Sequence, residues 1–238
     1  MKHSNNLAKS LLSICRKDGT IVNGARNGSA VFYVRTSNES MHLEGLKGDS
    51  LVKDNLNEIE SLCIFFRSTI LKCLLTEGAN SELIDCLSKA NRNRSALSDS
   101  FRIGSKKAID VLAGLAFIGH DIKFENLTSY ILCACQRSDS IICGNPKRFG
   151  SMLVKIGNEF IKLDGQNESG VVHNMKGDVK AINISFREAN FQVGPQGKSF
   201  TDLVNLLSRA KANSKEFHIL ESLASEVAIA RLLELSIG

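Results

Sequence analysis

Apolar residues near the start of the chain recur at helical spacing. Leu7, Leu11, Leu12 and Ile14 line one side of a short helix over residues 5–16, and Gly19 can stop it. The period then tightens. Thr20-Ile-Val and Ala30-Val-Phe-Tyr-Val lie on either side of the turn residues Asn23-Gly24 and read as two strands, with Met41-His-Leu as a short third. From Ser50 to Thr76 the positions Leu51, Leu56, Ile59, Leu62, Cys63, Phe66, Ile70, Leu74 and Leu75 describe a broad helical face. The clearest helix of the first half is expected there, opened by Asp49 or Ser50 and closed by Gly78. Another helix opens at Asn80 or Ser81 and runs through Leu87. Ser105 or a neighbour caps the next, which reaches Gly119. Its run from Ala108 to Ile118 is apolar almost all round, which places it at the centre of the core. Phe124 to Gln136 reads as one more helix.

Beyond residue 150 the pattern changes to strands. Ser151-Met-Leu-Val-Lys-Ile, Glu159-Phe-Ile-Lys-Leu, Gly170-Val-Val-His, Val179 to Phe186 and Asn190-Phe-Gln-Val are separated by the turn sequences Gly157-Asn158, Asp164-Gly165 and Lys176-Gly177-Asp178. Two helices close the chain, over residues 199–211 and 214–235. Strands cluster instead of alternating with helices, so the expected class is α+β: a helical block around a central apolar helix, a mostly antiparallel β region and two C-terminal helices. A boundary near residues 139–150 would separate a mainly helical region with an N-terminal β-hairpin (1–140) from a β-rich region ending in two helices (141–238). One single domain over 1–238 is the alternative. The sequence reads without an internal repeat or a low-complexity tract.

Composition narrows the class. The chain has 238 residues, 43% of them hydrophobic and 23% charged, enough for a core without staples. Its seven cysteines are odd in number and sit mostly in apolar runs, which points to reduced thiols in an intracellular, cytoplasmic protein. The first residues hold no apolar run of a secretion signal, and no segment approaches a membrane span of about 20 apolar residues. The N-x-[ST] sequons at Asn27, Asn38, Asn93, Asn126, Asn167 and Asn183 follow from an Asn- and Ser-rich composition.

The formal charge of +5 matters through its placement. Between residues 89 and 107 stand Lys89, Arg92, Arg94, Arg102, Lys106 and Lys107, with Asp99 as the one acid among them. Ser and Asn are interleaved with these cations. Arg, Lys, Ser, Asn and helix N-termini are the groups that contact phosphate, so the segment can read the backbone of a nucleic acid. Phe101 and Tyr33 offer stacking surfaces, and Lys147-Arg148 beside Pro146 can extend the patch. The ordinary reading of the same residues is a solvated face that aids solubility.

Three other motifs carry less. Gly194-Pro-Gln-Gly-Lys-Ser199 follows a strand and opens a helix, as a phosphate loop does, with Gly197, Lys198 and Ser199 as the phosphate-binding residues. Gln192 stands where the Walker pattern needs Gly, and the 39 residues after Ser199 read as helix. A glycine-rich turn with Ser199 as cap is the competing reading. Cys133-x-Cys135 with Cys143 and His120 or His173 could supply metal ligands, but a one-residue spacer is tighter than zinc pairs use. Buried thiols are the default, and no cofactor is expected. No G-x-S-x-G, H-E-x-x-H or G-x-G-x-x-G sequence is present.

The expectation is a non-enzymatic binding and assembly protein. It would hold single-stranded nucleic acid, RNA in preference, on residues 89–107, and form homo-oligomers through the apolar C-terminal helix in a coat- or nucleocapsid-like manner. The alternatives are a scaffold or matrix-type protein without nucleic acid, and a small phosphate- or nucleotide-using enzyme at the Gly194–Ser199 loop.

Overall fold

The computed structural model describes residues 2–25, 30–46, 59–75, 79–116, 127–145, 150–166, 181–195 and 197–238. Among the described residues, six helices and two mostly antiparallel sheets make the class α+β. Among the described residues no helix is long and apolar enough to cross a membrane.

The chain divides into two compact units. The first comprises residues 1–104 and 225–238. Helix α1 (Lys2–Arg16) leads into β1 (Ile21–Gly24), β2 (Val31–Arg35), β3 (Ser40–Leu46), β4 (Ser61–Phe66) and β5 (Thr69–Leu74), and then α2 (Ala79–Ser88) and the start of α3 (Arg94–Ala116). The strands form one antiparallel sheet in chain order. Alternation fixes which face is buried. Met41 and Leu43, Leu62, Ile64 and Phe66, and Leu71 and Cys73 all turn to one side. They meet Leu7, Leu11 and Ile14 of α1 and Leu83 and Leu87 of α2.

Residues 61–74 are a β-hairpin, not part of a helix. The apolar positions fit a helical face because both sides of β4 are apolar, so period two is masked by Cys63 and Phe65. The turn is Arg67-Ser68, without the Gly, Asn or Pro that would have announced it. Residues 51–58 of the expected helix lie outside the described residues, as does the expected strand at Gly170–His173.

The second unit comprises residues 105–224. It contains the second half of α3, then α4 (Leu127–Cys135), β6 (Ser140–Gly144), β7 (Ser151–Ile156), β8 (Glu159–Gln166), β9 (Ala181–Phe186), β10 (Ala189–Val193), α5 (Gly197–Ser208), the short β11 (Lys211–Ala212) and the start of α6 (Ser214–Ile237). Its sheet runs β10-β9-β8-β7-β6-β11, with β11 parallel to β6. Met152, Val154, Ile161, Leu163, Ile182, Ile184 and Phe186 face Ile131, Leu203 and Leu207.

The two units are copies of one pattern at a constant offset of 120 positions. Ile21 pairs with Arg35 and Ile141 with Lys155; Phe66 pairs with Thr69 and Phe186 with Ala189. Gly45 N–H donates to the Ala30 carbonyl at 2.8 Å, and Gly165 N–H to the Gly150 carbonyl at 2.7 Å. The parallel bridge between Asn23 and Asn91 recurs as Cys143 with Lys211. Asn93 accepts from the N–H groups of Ser95 and Ala96 at the start of α3, and Asn213 from those of Lys215 and Glu216 at the start of α6. The sequence, which reads without a repeat, therefore carries one. Its best surviving trace is Ser81-Glu-Leu-Ile-Asp-Cys-Leu-Ser-Lys-Ala against Thr201-Asp-Leu-Val-Asn-Leu-Leu-Ser-Arg-Ala.

The long helices are shared between the units' cores in the same way. Ala108 and Leu112 of α3 belong to the core of the second unit, and Ala228 and Leu232 of α6, again 120 positions on, belong to the first. In the first unit Ser13 Oγ donates to the Ser236 carbonyl at 2.8 Å and Lys17 Nζ to the Leu235 carbonyl. In the second, Arg137 donates to the Leu115 carbonyl at 2.7 Å. A cation thus donates to a carbonyl in the last turn of each long helix, where the helix dipole favours positive charge.

Candidate nucleic-acid interface

The basic segment begins where α2 ends. Ser88 Oγ donates to the Asp85 carbonyl at 2.8 Å and Ala90 N–H to the Leu87 carbonyl at 3.1 Å, closing the helix. Asn91 then lies along β1, its carbonyl accepting from Gly24 N–H at 2.8 Å. The stem of Arg92 passes close over Gly24, where an added Cβ would meet it at 3.3 Å. Asn93 caps α3, which starts at Arg94 rather than near Ser105. Much of the segment is therefore helix, and its residues have defined directions.

Those directions separate the cations. Leu97, Ser100, Gly104 and Ala108 turn inward. Ser100 Oγ accepts from Asn23 Nδ2 at 2.9 Å. Arg94, Ser98, Arg102, Lys106 and Asp110, four residues apart, form the exposed side. The Arg102 side chain is 81% exposed, with Asp99 3.6 Å away in a surface ion pair of small worth. Lys89 is exposed, Arg92 and Lys107 are half-buried. Lys147 and Arg148 lie outside the described residues.

The two candidate stacking rings are committed to the fold. Tyr33 is buried, and Phe101 packs edge-on against it with ring centroids 4.8 Å apart and against His42 at 5.2 Å. His42 also stacks on Phe65 at 5.0 Å, and burial lowers its pKa below the ordinary 6.5.

The loop at Gly194–Ser199 sits in a different setting from a nucleotide cradle. Gly197, at φ 79°, is the first residue of α5, and Lys198 is exposed. The Ser199 hydroxyl is hydrogen-bonded to that of Ser129 on α4 at 3.0 Å. The preceding strand, β10, is an antiparallel edge strand, whereas phosphate loops leave a strand of a parallel sheet.

Among the described residues no group of three or more His, Cys, Asp or Glu converges as metal ligands would. His120 and His173 lie outside them. Burial pushes the Cys135 thiol up to about 12. A pairing that sequence spacing could not suggest joins Cys15 on α1 to Cys86 on α2. The hydrogen bond from Cys15 lowers the Cys86 pKa to about 6, helped by Arg16 and Lys89 and opposed by burial. Cys15, the donor, is raised well above the usual thiol value.

No protein family, curated protein or solved structure matches the chain.

Proposed function

We propose that this is a non-enzymatic binding and assembly protein of coat- or nucleocapsid-like character. In this reading it holds nucleic acid on the exposed side of α3 and associates with itself through α6. The observation that carries the reading is the contrast between the two copies of the long helix. Where α3 exposes Arg94, Arg102 and Lys106, α6 has Ser214, Ser222 and Glu226. The fold forms with or without these cations, so their presence on α3 calls for another cause. Conversely, α6 exposes Ile219, Leu223, Leu233 and Ile237. At the first three of these positions α3 has Asp99, Ile103 and Ala113. Together with Glu226 and Ala230 the exposed residues of α6 recur at alternating spacings of four and three, the spacing of a coiled-coil seam.

Single-stranded RNA is the first ligand to test, titrated with nuclease-treated protein across salt concentrations. Four phosphate contacts, from Lys89, Arg94, Arg102 and Lys106, give a slope of log K against log salt of roughly −3, about −0.7 per contact. Replacing Arg94, Arg102 and Lys106 by Gln reduces that slope by about 2. Binding that is unchanged by these substitutions sinks the assignment. With Tyr33 buried and the half-buried Phe101 ring packed against it and His42, the affinity for different base sequences at equal length is expected to vary little. Sedimentation tests the other half: Leu223→Glu with Leu233→Glu dissociates the oligomer.

A second reading, a scaffold without nucleic acid, draws on the α6 stripe alone. Its mark is an oligomer that survives nuclease and high salt in a protein that binds no RNA.

A further inference from the structure

The sheet of the first unit has a second face, opposite its core, and part of it is apolar and open. Register sets three rows across β3, β4 and β5: His42, Phe65 and Ile70; Glu44, Cys63 and Lys72; Leu46, Ser61 and Leu74. Phe101 of α3 covers the β2 and β3 end at Tyr33 and His42. The β5 end is different. Ile70 is 60% exposed, Leu74 46% and Leu46 37%, with Cys63 and Phe65 half-buried between them.

The second unit carries the matching face with a polar sequence. The positions matching Cys63, Phe65, Ile70, Lys72 and Leu74 are Asn183, Ser185, Asn190, Gln192 and Gly194. Gln192 donates to Asn183 at 3.2 Å across the strands. The same backbone in the same register is thus built with a polar surface. The apolar residues of β4 and β5 are not needed to form the sheet, and exposed apolar clusters mark contact surfaces.

The backbone points to the same place. Among the described residues β5 pairs with β4 alone and is the edge strand of its sheet. Leu75 N–H donates to the Glu60 carbonyl, which sets the phase of the ladder. In an antiparallel pair the residues alternate between bonding their neighbour and pointing away. Ile70, Lys72 and Leu74 are the ones that point away. The three residues whose side chains form the exposed surface therefore also turn their N–H and C=O groups outward along the edge, away from β4.

We propose that β5 binds an extended segment of a partner protein as a sixth strand, with an acidic residue opposite Lys72 and apolar residues opposite Ile70 and Leu74. Strand addition takes affinity from the backbone edge and selectivity from alternate side chains, and both are present here. Charge selects this occupant over a second copy of the chain. Two β5 strands paired about a central two-fold axis set Lys72 against Lys72, and like charges directly opposite are destabilising. Lys72 thereby guards the edge against self-pairing, while a carboxylate from another chain satisfies it. The interaction is independent of α3 and of nucleic acid.

The test uses the full chain and labelled peptides with Leu-Thr-Glu-Thr-Leu at their centre, against scrambled controls. Saturable binding with new hydrogen-exchange protection at the amides of Ile70, Lys72 and Leu74 is expected. Ile70→Asn with Leu74→Asn brings the edge close to the polar one the second unit already has, so the variant folds, and it weakens binding at least tenfold. Lys72→Glu reverses the preference, toward peptides with Lys in place of Glu. The proposal is overturned if no peptide of this pattern binds at millimolar concentration. It is also overturned if the double variant binds undiminished, or if the double variant instead dissolves a dimer joined through β5.

Discussion

Arg67 donates to Glu39 at 2.7 Å, and 120 positions later Arg187 donates to Glu159 at 2.6 Å. Both arginines sit in two-residue hairpin turns at positive φ, 55° and 51°, where a side chain of this size is uncommon. Each lies beside the ring of the preceding phenylalanine, Phe66 at 5.8 Å and Phe186 at 5.9 Å. The ion pair and the ring contact offset the backbone strain, of order 1–2 kcal/mol, and tie each hairpin tip to an acidic residue at or near the start of β3 or β8. The first copy adds to this: Arg231 also reaches Glu39, at 3.1 Å.

Glu39 is 5% exposed in its side chain, so its two partners back each other up. Arg67→Ala is expected to cost about 1–3 kcal/mol while Arg231 remains. Removing both leaves a buried carboxylate alone, and the total reaches about 3–5 kcal/mol. Urea unfolding of the two single variants and the double measures the coupling directly.

Gly45 has no room for a side chain. An added Cβ would stand 2.8 Å from the Ala30 Cβ and 3.1 Å from Ile59. Gly45→Ala is expected to lower stability by about 1–3 kcal/mol through overpacking. Gly45→Ala combined with Ala30→Gly, which borrows the glycine found at the matching position 150, should recover part of that loss in the same unfolding experiment.

The Cys86 thiolate makes a prediction about reactivity. Alkylation of Cys86 by iodoacetamide should rise with a midpoint near pH 6, read by mass spectrometry. Cys73 and Cys135, raised to about 11 and about 12 by burial, should stay unmodified over the same range. Cys15→Ala removes the hydrogen bond that favours the thiolate and moves the midpoint upward.

His42 makes a prediction about acid. Its folded pKa lies below the unfolded value near 6.5, so the unfolded chain takes up the proton first. The stability associated with neutral His42 is complete above about pH 6.5 and is lost as pH falls toward the folded value. Melting temperatures from pH 7.5 to 5 should fall less steeply in His42→Leu than in the parent.

Much of the fold is legible in the sequence, and the exceptions have physical causes. Strands with one polar and one apolar face, such as Ala181–Phe186, announce themselves. The β4–β5 hairpin does not, because the residues that make its outer face apolar also complete a helical pattern. Helix α3 is hidden at its start by polar text: Arg94, Ser95, Ser98 and Asp99 are its solvent side, and only Asn93 marks the cap. The cations of the candidate interface stand out as a cluster, but their separation into exposed and half-buried members depends on helical phase. The repeat is invisible because what it keeps is register and hydrogen bonds, through residues as different as Asn23 and Cys143. The pairing of Cys15 with Cys86 arises from the packing of α1 on α2, and nothing in either residue's neighbourhood signals it.

The ends of α3 and α6 carry a consequence for how the chain can be divided. Ala108 and Leu112 of α3 serve the core of the second unit, and Ala228 and Leu232 of α6 serve that of the first. Neither half of the sequence therefore encodes the whole of its own core. A chain cut between Asn93 and Ser105 keeps the first sheet but loses the Ala228 and Leu232 that pack on its core. The order of the elements thus makes each half's stability depend on residues that the other half supplies.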